Sequence, residues 1–194
     1  NHRGVAPRGI DRQAAAAEQL VGPAEQQVAE QDGGRGAVLL GVAAPPRGPV
    51  LGAELPVALA TGQLYLQYQP KFRLGDRRVA GLEALVRWRH PELGTISPAE
   101  FIPIAERTGA SGALTRWVLR AALVQLAQWE AQGVRVEMAV NFSATDILDT
   151  GMLQHVLEVL RDTQVAAGSL TIEITESVML NEPEAARRNM ELLR

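Results

Sequence analysis

From Glu54 to the C-terminus, strand-like and helix-like segments alternate, and that order leaves few folds open. Tyr65-Leu66-Gln67-Tyr68-Gln69 is short and aromatic-rich, as strands are. Leu74-Gly75-Asp76 reads as a turn and Arg78 to Trp88 as the next strand. Ser97-Pro98-Ala99-Glu100 has the form of a capping box with proline at the first helical position, so a helix is predicted to start there. Leu114, Trp117, Val118, Ala121 and Val124 recur at helical spacing and predict a second helix, ended by Gln132-Gly133. Val134 to Asn141 predicts a strand. Leu153, Val156, Leu157 and Leu160 predict one face of another helix, and Leu170 to Thr175 a β-branched strand. Asn181, Pro183 and Glu184 repeat the capping pattern ahead of a last helix. Strands that alternate with helices imply an α/β fold with a mainly parallel sheet.

Composition divides the chain in two. All eight aromatic residues lie at or after Tyr65, whereas residues 1–52 are dominated by Ala, Gly, Pro, Gln and Arg. We read 53–194 as the folded domain and 1–52 as a low-complexity segment. Within the latter, Gln13 to Glu30 favours helix but carries few apolar residues and is interrupted by Gly22-Pro23. Gly33 to Gly52 reads as a linker or disordered stretch. A shifted reading frame in GC-rich DNA produces similar composition, which makes a frameshifted gene fragment one expectation for this chain.

Several function classes are excluded. With no cysteine among 194 residues, disulfides and thiolate metal sites are ruled out. His2, His90 and His155 are too scattered for a histidine metal motif. A net charge of −3 offers no basic surplus for DNA. The most apolar stretch, Val38 to Leu59, is interrupted by Arg47, Glu54 and four prolines, so no membrane segment is expected.

Chemistry concentrates in Gly81-Leu82-Glu83-Ala84-Leu85-Val86-Arg87-Trp88. At strand periodicity Glu83, Leu85 and Arg87 share one face, and Leu82, Ala84, Val86 and Trp88 the other. Two opposite charges on an otherwise buried strand are costly unless something ionic sits beside them. A metal for Glu83 and a phosphate for Arg87 would meet that need. Asn141 ends its strand, and Glu173 lies late in the next one. Three oxygen donors from successive strands, Glu83, Asn141 and Glu173, suit a hard cation such as Mg²⁺ or Mn²⁺. Taken singly, each has a structural reading: Asn as a turn former or cap, Glu on a solvated face, Arg as an ion-pair partner. The recurrence at comparable places in successive strand–helix units is what points to a site.

Five segments resemble the EAL domain family of bacterial cyclic di-GMP phosphodiesterases: Tyr68-Gln69-Pro70, Glu83-Ala84-Leu85-Val86-Arg87-Trp88, Phe101-Ile102-Pro103-Ile104-Ala105-Glu106, Val140-Asn141-Phe142-Ser143-Ala144 and Glu173-Ile174-Thr175-Glu176-Ser177. The resemblance implies a modified (β/α)8 TIM-like barrel whose first strand runs antiparallel to the others. It implies hydrolysis of one phosphodiester of cyclic di-GMP, giving linear pGpG, with two metal ions activating water and stabilising phosphoryl charge. Glu83, Asn141 and Glu173 match metal ligands, with Glu83 catalytic in that role. Arg87 matches a phosphate contact, Gln69 a residue near the bound ligand, and Glu176 a glutamate that steadies an active-site loop. The resemblance also implies a cytoplasmic setting, a possible EAL homodimer and, in the parent, a GGDEF or sensor domain upstream.

Arg73 stands where the family usually has Asp, and Phe142 where it has Leu or Val. The family's next strand, with its Asp pair, and the lysine, glutamate and glutamine after it would follow Arg194. The expectation is therefore a partial barrel, truncated after about four strands, with open edges and no activity by itself. A non-catalytic cyclic di-GMP-binding EAL module is the alternative function.

Overall fold

The computed structural model describes residues 47–75, 79–174 and 183–191. Helix α1 (Arg47–Thr61) comes first, and Leu51, Leu55 and Ala58 form its buried stripe. Their spacing of four and three residues brings them to one face. Pro49 lies in the first turn, where a backbone N–H has no partner to lose, while Pro56 is inside the helix. Residues 47–52 were expected to continue a linker. They are helical because Leu51 completes a stripe that is only visible once the prolines are tolerated.

Strand β1 (Leu64–Phe72) runs antiparallel to β2 (Val79–His90), with Tyr65 opposite Arg87 and Gln69 opposite Glu83. A three-residue strand, β3 (Gly94–Ile96), folds back on the end of β2. Helices α2 (Pro98–Thr108) and α3 (Ser111–Ala131) then lead to β4 (Glu137–Phe142), which lies parallel to β2. Helices α4 (Ala144–Leu148) and α5 (Thr150–Thr163) and a 3₁₀ turn at Ala167–Ser169 lead to β5 (Leu170–Ile174), parallel to β4. Helix α6 (Pro183–Glu191) follows. The sheet order is β1-β2-β4-β5, with β3 beside β2. This is the expected α/β arrangement, a partial barrel wall with an antiparallel first strand.

Alternation within the strands separates two environments. Leu82, Ala84 and Trp88 of β2 and Met138, Val140 and Phe142 of β4 are buried in one apolar core with Phe101, Leu119, Leu123, Leu126 and Ile147. Trp88 meets Phe101 edge to face at 5.6 Å, and its Nε1 donates to Gln63 Oε1 at 3.0 Å. Cutting either ring back to alanine is expected to cost about 3–5 kcal/mol. Buried His90 is fully satisfied as well. Its Nδ1 accepts from the amides of Glu92 and Leu93, both at 3.1 Å, so its Nε2 carries the proton and donates to Glu54 Oε2 at 2.7 Å. That bond ties α1 to the end of β2. Opposite Glu137, Gly81 permits close approach of β2 and β4, since a Cβ there would lie 2.9 Å from the Glu137 carbonyl oxygen.

Three local expectations are corrected. Ser97 precedes α2, but its side chain makes no capping hydrogen bond. On α3 the buried face is Leu114, Thr115, Val118, Leu119, Ala122, Leu123, Leu126 and Trp129, and Val124 is 41% exposed. On α5 the buried face is Met152, Leu153, Val156 and Val159, while Leu157 is 55% exposed. Helix α3 carries apolar residues around much of its circumference, and on α5 Leu157 lies at the edge of the apolar face, so periodicity alone did not orient either helix. The expected helix at 13–30 and the cap at Asn181 lie outside the described residues.

Candidate functional site

Strand pairing determines which polar side chains can meet. Paired residues on neighbouring strands share a face, and Glu83 pairs with Gln69 on β1 and with Ala139 on β4. Asn141 pairs with Glu173 on β5. One face of the sheet therefore carries Gln67, Gln69 and Lys71 from β1, Glu83 and Arg87 from β2, Asn141 from β4 and Glu173 from β5.

These side chains are bonded to one another. Asn141 Nδ2 donates to Glu83 Oε1 at 2.7 Å. Lys71 Nζ forms an ion pair with Glu173 Oε1. Arg87 Nε donates to Gln67 Oε1 at 2.6 Å, and its Nη1 donates to the Val86 carbonyl at 2.9 Å. Gln69 is exposed beside Glu83. Of the expected site residues, Glu83, Asn141, Glu173, Arg87 and Gln69 thus share one face. Glu176 lies outside the described residues.

Gln67 and Lys71 were missed. Strand periodicity contained the signal, because both are two residues from Gln69 and so share its face. Lys71 is also the chain's one lysine. Tyr68, by contrast, points to the other side, where its ring meets Trp129 edge to face at 4.8 Å. Burial there pushes its phenol up to about 12, which removes it from proton transfer near neutral pH.

Between the C-terminal ends of β2 and β4 and helices α2 and α3 opens a cavity of about 220 Å³. Arg87 and Asn141 line it together with Pro98, Ile102, Leu114 and Phe142. Its mixture of an apolar wall with a few polar groups suits a small organic ligand. Below it, the β4–α4 turn is locked by a buried carboxylate. Asp146 accepts from the Ser143 amide at 2.9 Å, from Ser143 Oγ at 2.7 Å and from Thr115 Oγ1 at 2.9 Å. The first of these, with the Asp146 amide donating to Ser143 Oγ at 3.3 Å, completes a capping box on α4. That box begins two residues after Asn141 and so fixes the backbone on which Asn141 sits.

The donors fit a hard cation in their chemistry. Among the described residues, no group of three or more His, Cys, Asp or Glu gathers as a metal cluster. The available set is two carboxylates and one amide. Glu83 accepts from the Asn141 amide, and Glu173 is ion-paired with Lys71. Rotating the Asn141 amide would turn its oxygen, in place of its nitrogen, toward Glu83's neighbourhood. The set would then be entirely oxygen, as Mg²⁺ and Mn²⁺ prefer.

Comparison with known proteins finds relatives of one family. The EAL domain family model matches residues 53–194. The chain is 44% identical over 121 residues to the cyclic di-GMP phosphodiesterase PA2567 of Pseudomonas aeruginosa, covering 62% of this chain and 21% of that protein. It is 37% identical over 136 residues to the cyclic di-GMP phosphodiesterase PdeR of Escherichia coli, covering 70% of this chain and 20% of that protein. The chain thus spans about a fifth of each of these relatives. Among solved structures, the PaMucR phosphodiesterase in complex with c-di-GMP superposes with a TM-score of 0.70 at 35% identity, covering 74% of this chain and 59% of that one.

Proposed function

The chain belongs to the EAL domain family, and on that premise we propose that its protein hydrolyses one phosphodiester of cyclic di-GMP to give linear pGpG. One observation carries the reading: Glu83, Asn141 and Glu173 share a sheet face with Arg87, which also lines the adjoining cavity.

Each residue has a distinct task in this proposal. Arg87 binds a phosphate of the dinucleotide, since its guanidinium is permanently charged and planar. The cavity beside it receives part of the ligand and excludes water from the contact. Glu83, Asn141 and Glu173 hold Mg²⁺ or Mn²⁺. Such an ion, when bound, acidifies water and stabilises charge on phosphoryl oxygens. Gln69, exposed next to Glu83, contacts the ligand. Asp146 and Ser143 keep the turn after Asn141 rigid, which fixes the backbone from which Asn141 reaches Glu83.

The same reading extends to the parent protein. Glu176 steadies an active-site loop, a sensor or GGDEF domain precedes this one, the domain pairs with a second copy, and the setting is the cytoplasm. Among the described residues, no helix is long and apolar enough to cross a membrane.

A second reading has an observation in its favour. The Lys71 ammonium already neutralises Glu173, as a site that binds the dinucleotide without cutting it would allow. One experiment separates the two. The full-length protein is incubated with cyclic di-GMP and Mg²⁺, and products are resolved by chromatography. Linear pGpG from the wild type and none from Glu83→Ala supports the enzyme. Saturable binding without product supports the binding module, and neither binding nor product sinks both.

A further inference from the structure

The Arg87 guanidinium is anchored at two of its three nitrogens. Gln67 sits opposite Leu85 in the β1–β2 register, which places it diagonal to Arg87 on the same face. Its Oε1 accepts from Arg87 Nε at 2.6 Å, and the Val86 carbonyl accepts from Nη1 at 2.9 Å. We propose that Gln67 is a positioning residue: it holds the Arg87 guanidinium so that its Nη1–Nη2 edge is presented to the phosphate.

A free arginine side chain has several rotatable bonds and loses that freedom when it binds an anion. Two anchors remove most of the freedom before the ligand arrives, which favours binding by preorganisation. The anchors also choose the edge. A guanidinium can grip a phosphate side-on through Nε and Nη2 or end-on through Nη1 and Nη2. Gln67 occupies Nε, so the side-on grip is closed. Nη2 and the second hydrogen of Nη1 form the edge that is left. The neighbouring pair follows the same geometry: Tyr65 is diagonal to Arg89, whose guanidinium carbon lies 5.4 Å from the Tyr65 ring centre. Strand β1 thus steers both arginines of β2, one through an acceptor and one through a ring face.

The inference rests on Arg87 being the phosphate contact, and the test keeps the two apart. Cyclic di-GMP is titrated calorimetrically into the full-length protein and its variants. Gln67→Met keeps the length of the side chain and removes the acceptor, and should weaken binding about tenfold. In an Arg87→Met background, Gln67→Met should change nothing further. Should Gln67→Met fail to fold by circular dichroism, Gln67→Leu, which is also neutral and offers no acceptor, carries the same expectation. Weakening by Arg87→Met without weakening by the Gln67 variants overturns the positioning role alone. Equal weakening by Gln67→Met with and without Arg87 also overturns it, because that is what a general effect on the sheet would give. No weakening by Arg87→Met removes the phosphate contact itself, and the role of Gln67 with it.

Discussion

Asn141 reaches from β4 to β2 and donates its side-chain amide to Glu83 at 2.7 Å. The contact joins two of the three proposed cation ligands while each still sits on its own strand. Asn141→Asp replaces the donor with a second carboxylate facing the first. Like charges at that distance repel, so the protein without divalent ions should melt lower than wild type. A bound cation relieves the repulsion. Mn²⁺ should therefore raise the melting temperature of Asn141→Asp by more than it raises that of wild type. Equal shifts in the two proteins would count against a shared cation site.

Lys71 competes for the same chemistry. Its ammonium pairs with Glu173, and both side chains are about one-third exposed, 37% and 34%. A pair this open is worth about 1 kcal/mol or less. Removing it by Lys71→Met frees Glu173 at that small cost, and Mn²⁺ affinity should rise by about threefold. Electron paramagnetic resonance of free Mn²⁺ measures this directly. Weaker Mn²⁺ binding would mean that Lys71 helps to build the site.

Thr115 tests the support beneath the site. It is buried, and its Oγ1 donates to the buried carboxylate of Asp146 at 2.9 Å. Thr115→Val keeps the shape and deletes the donor. Asp146 retains its two bonds from Ser143, so the loss should be about 1–3 kcal/mol in urea unfolding. A loss near zero would mean that water replaces the hydroxyl.

Asp149 gives the acid limb of stability. A hydrogen bond from Arg116, at 2.6 Å, holds its carboxyl below the ordinary 3.8, aided by the amides of Gly151 and Met152 and opposed by desolvation. Because the folded value is the lower one, the stabilisation is present above 3.8 and is lost as pH falls through the folded value. Arg116→Ala should lower stability at neutral pH slightly, since the pair is exposed, and should flatten the loss below 3.8. Unfolding midpoints across acidic pH check this. An unchanged slope would show that Arg116 does not set the Asp149 carboxyl.

Local pattern was a good guide where one face of an element is plainly different from the other. In β2, Glu83 and Arg87 alternate with Leu82, Ala84 and Trp88, and the strand buries the second set. Pattern failed where α3 is apolar on several sides and at the edge of the apolar face of α5. Val124 and Leu157 have the spacing of core residues yet stand exposed, because neighbouring α3 and α5 residues fill the core instead. The linker reading also failed at α1, which starts at Arg47 and buries Leu51 and Leu55.

The residues of 53–194 by themselves determined the order of the main strands and helices, though not α1, β3 or α4, and also the family and the face on which Glu83 and Arg87 lie. Those properties follow from periods of two and 3.6 residues, which are local. Which side chains meet was decided only in three dimensions. Gln67 finds Arg87, Asn141 finds Glu83, and Lys71 finds Glu173 across gaps of 20, 58 and 102 residues. Inter-strand register sets those meetings, and register depends on how distant segments pack against the common core.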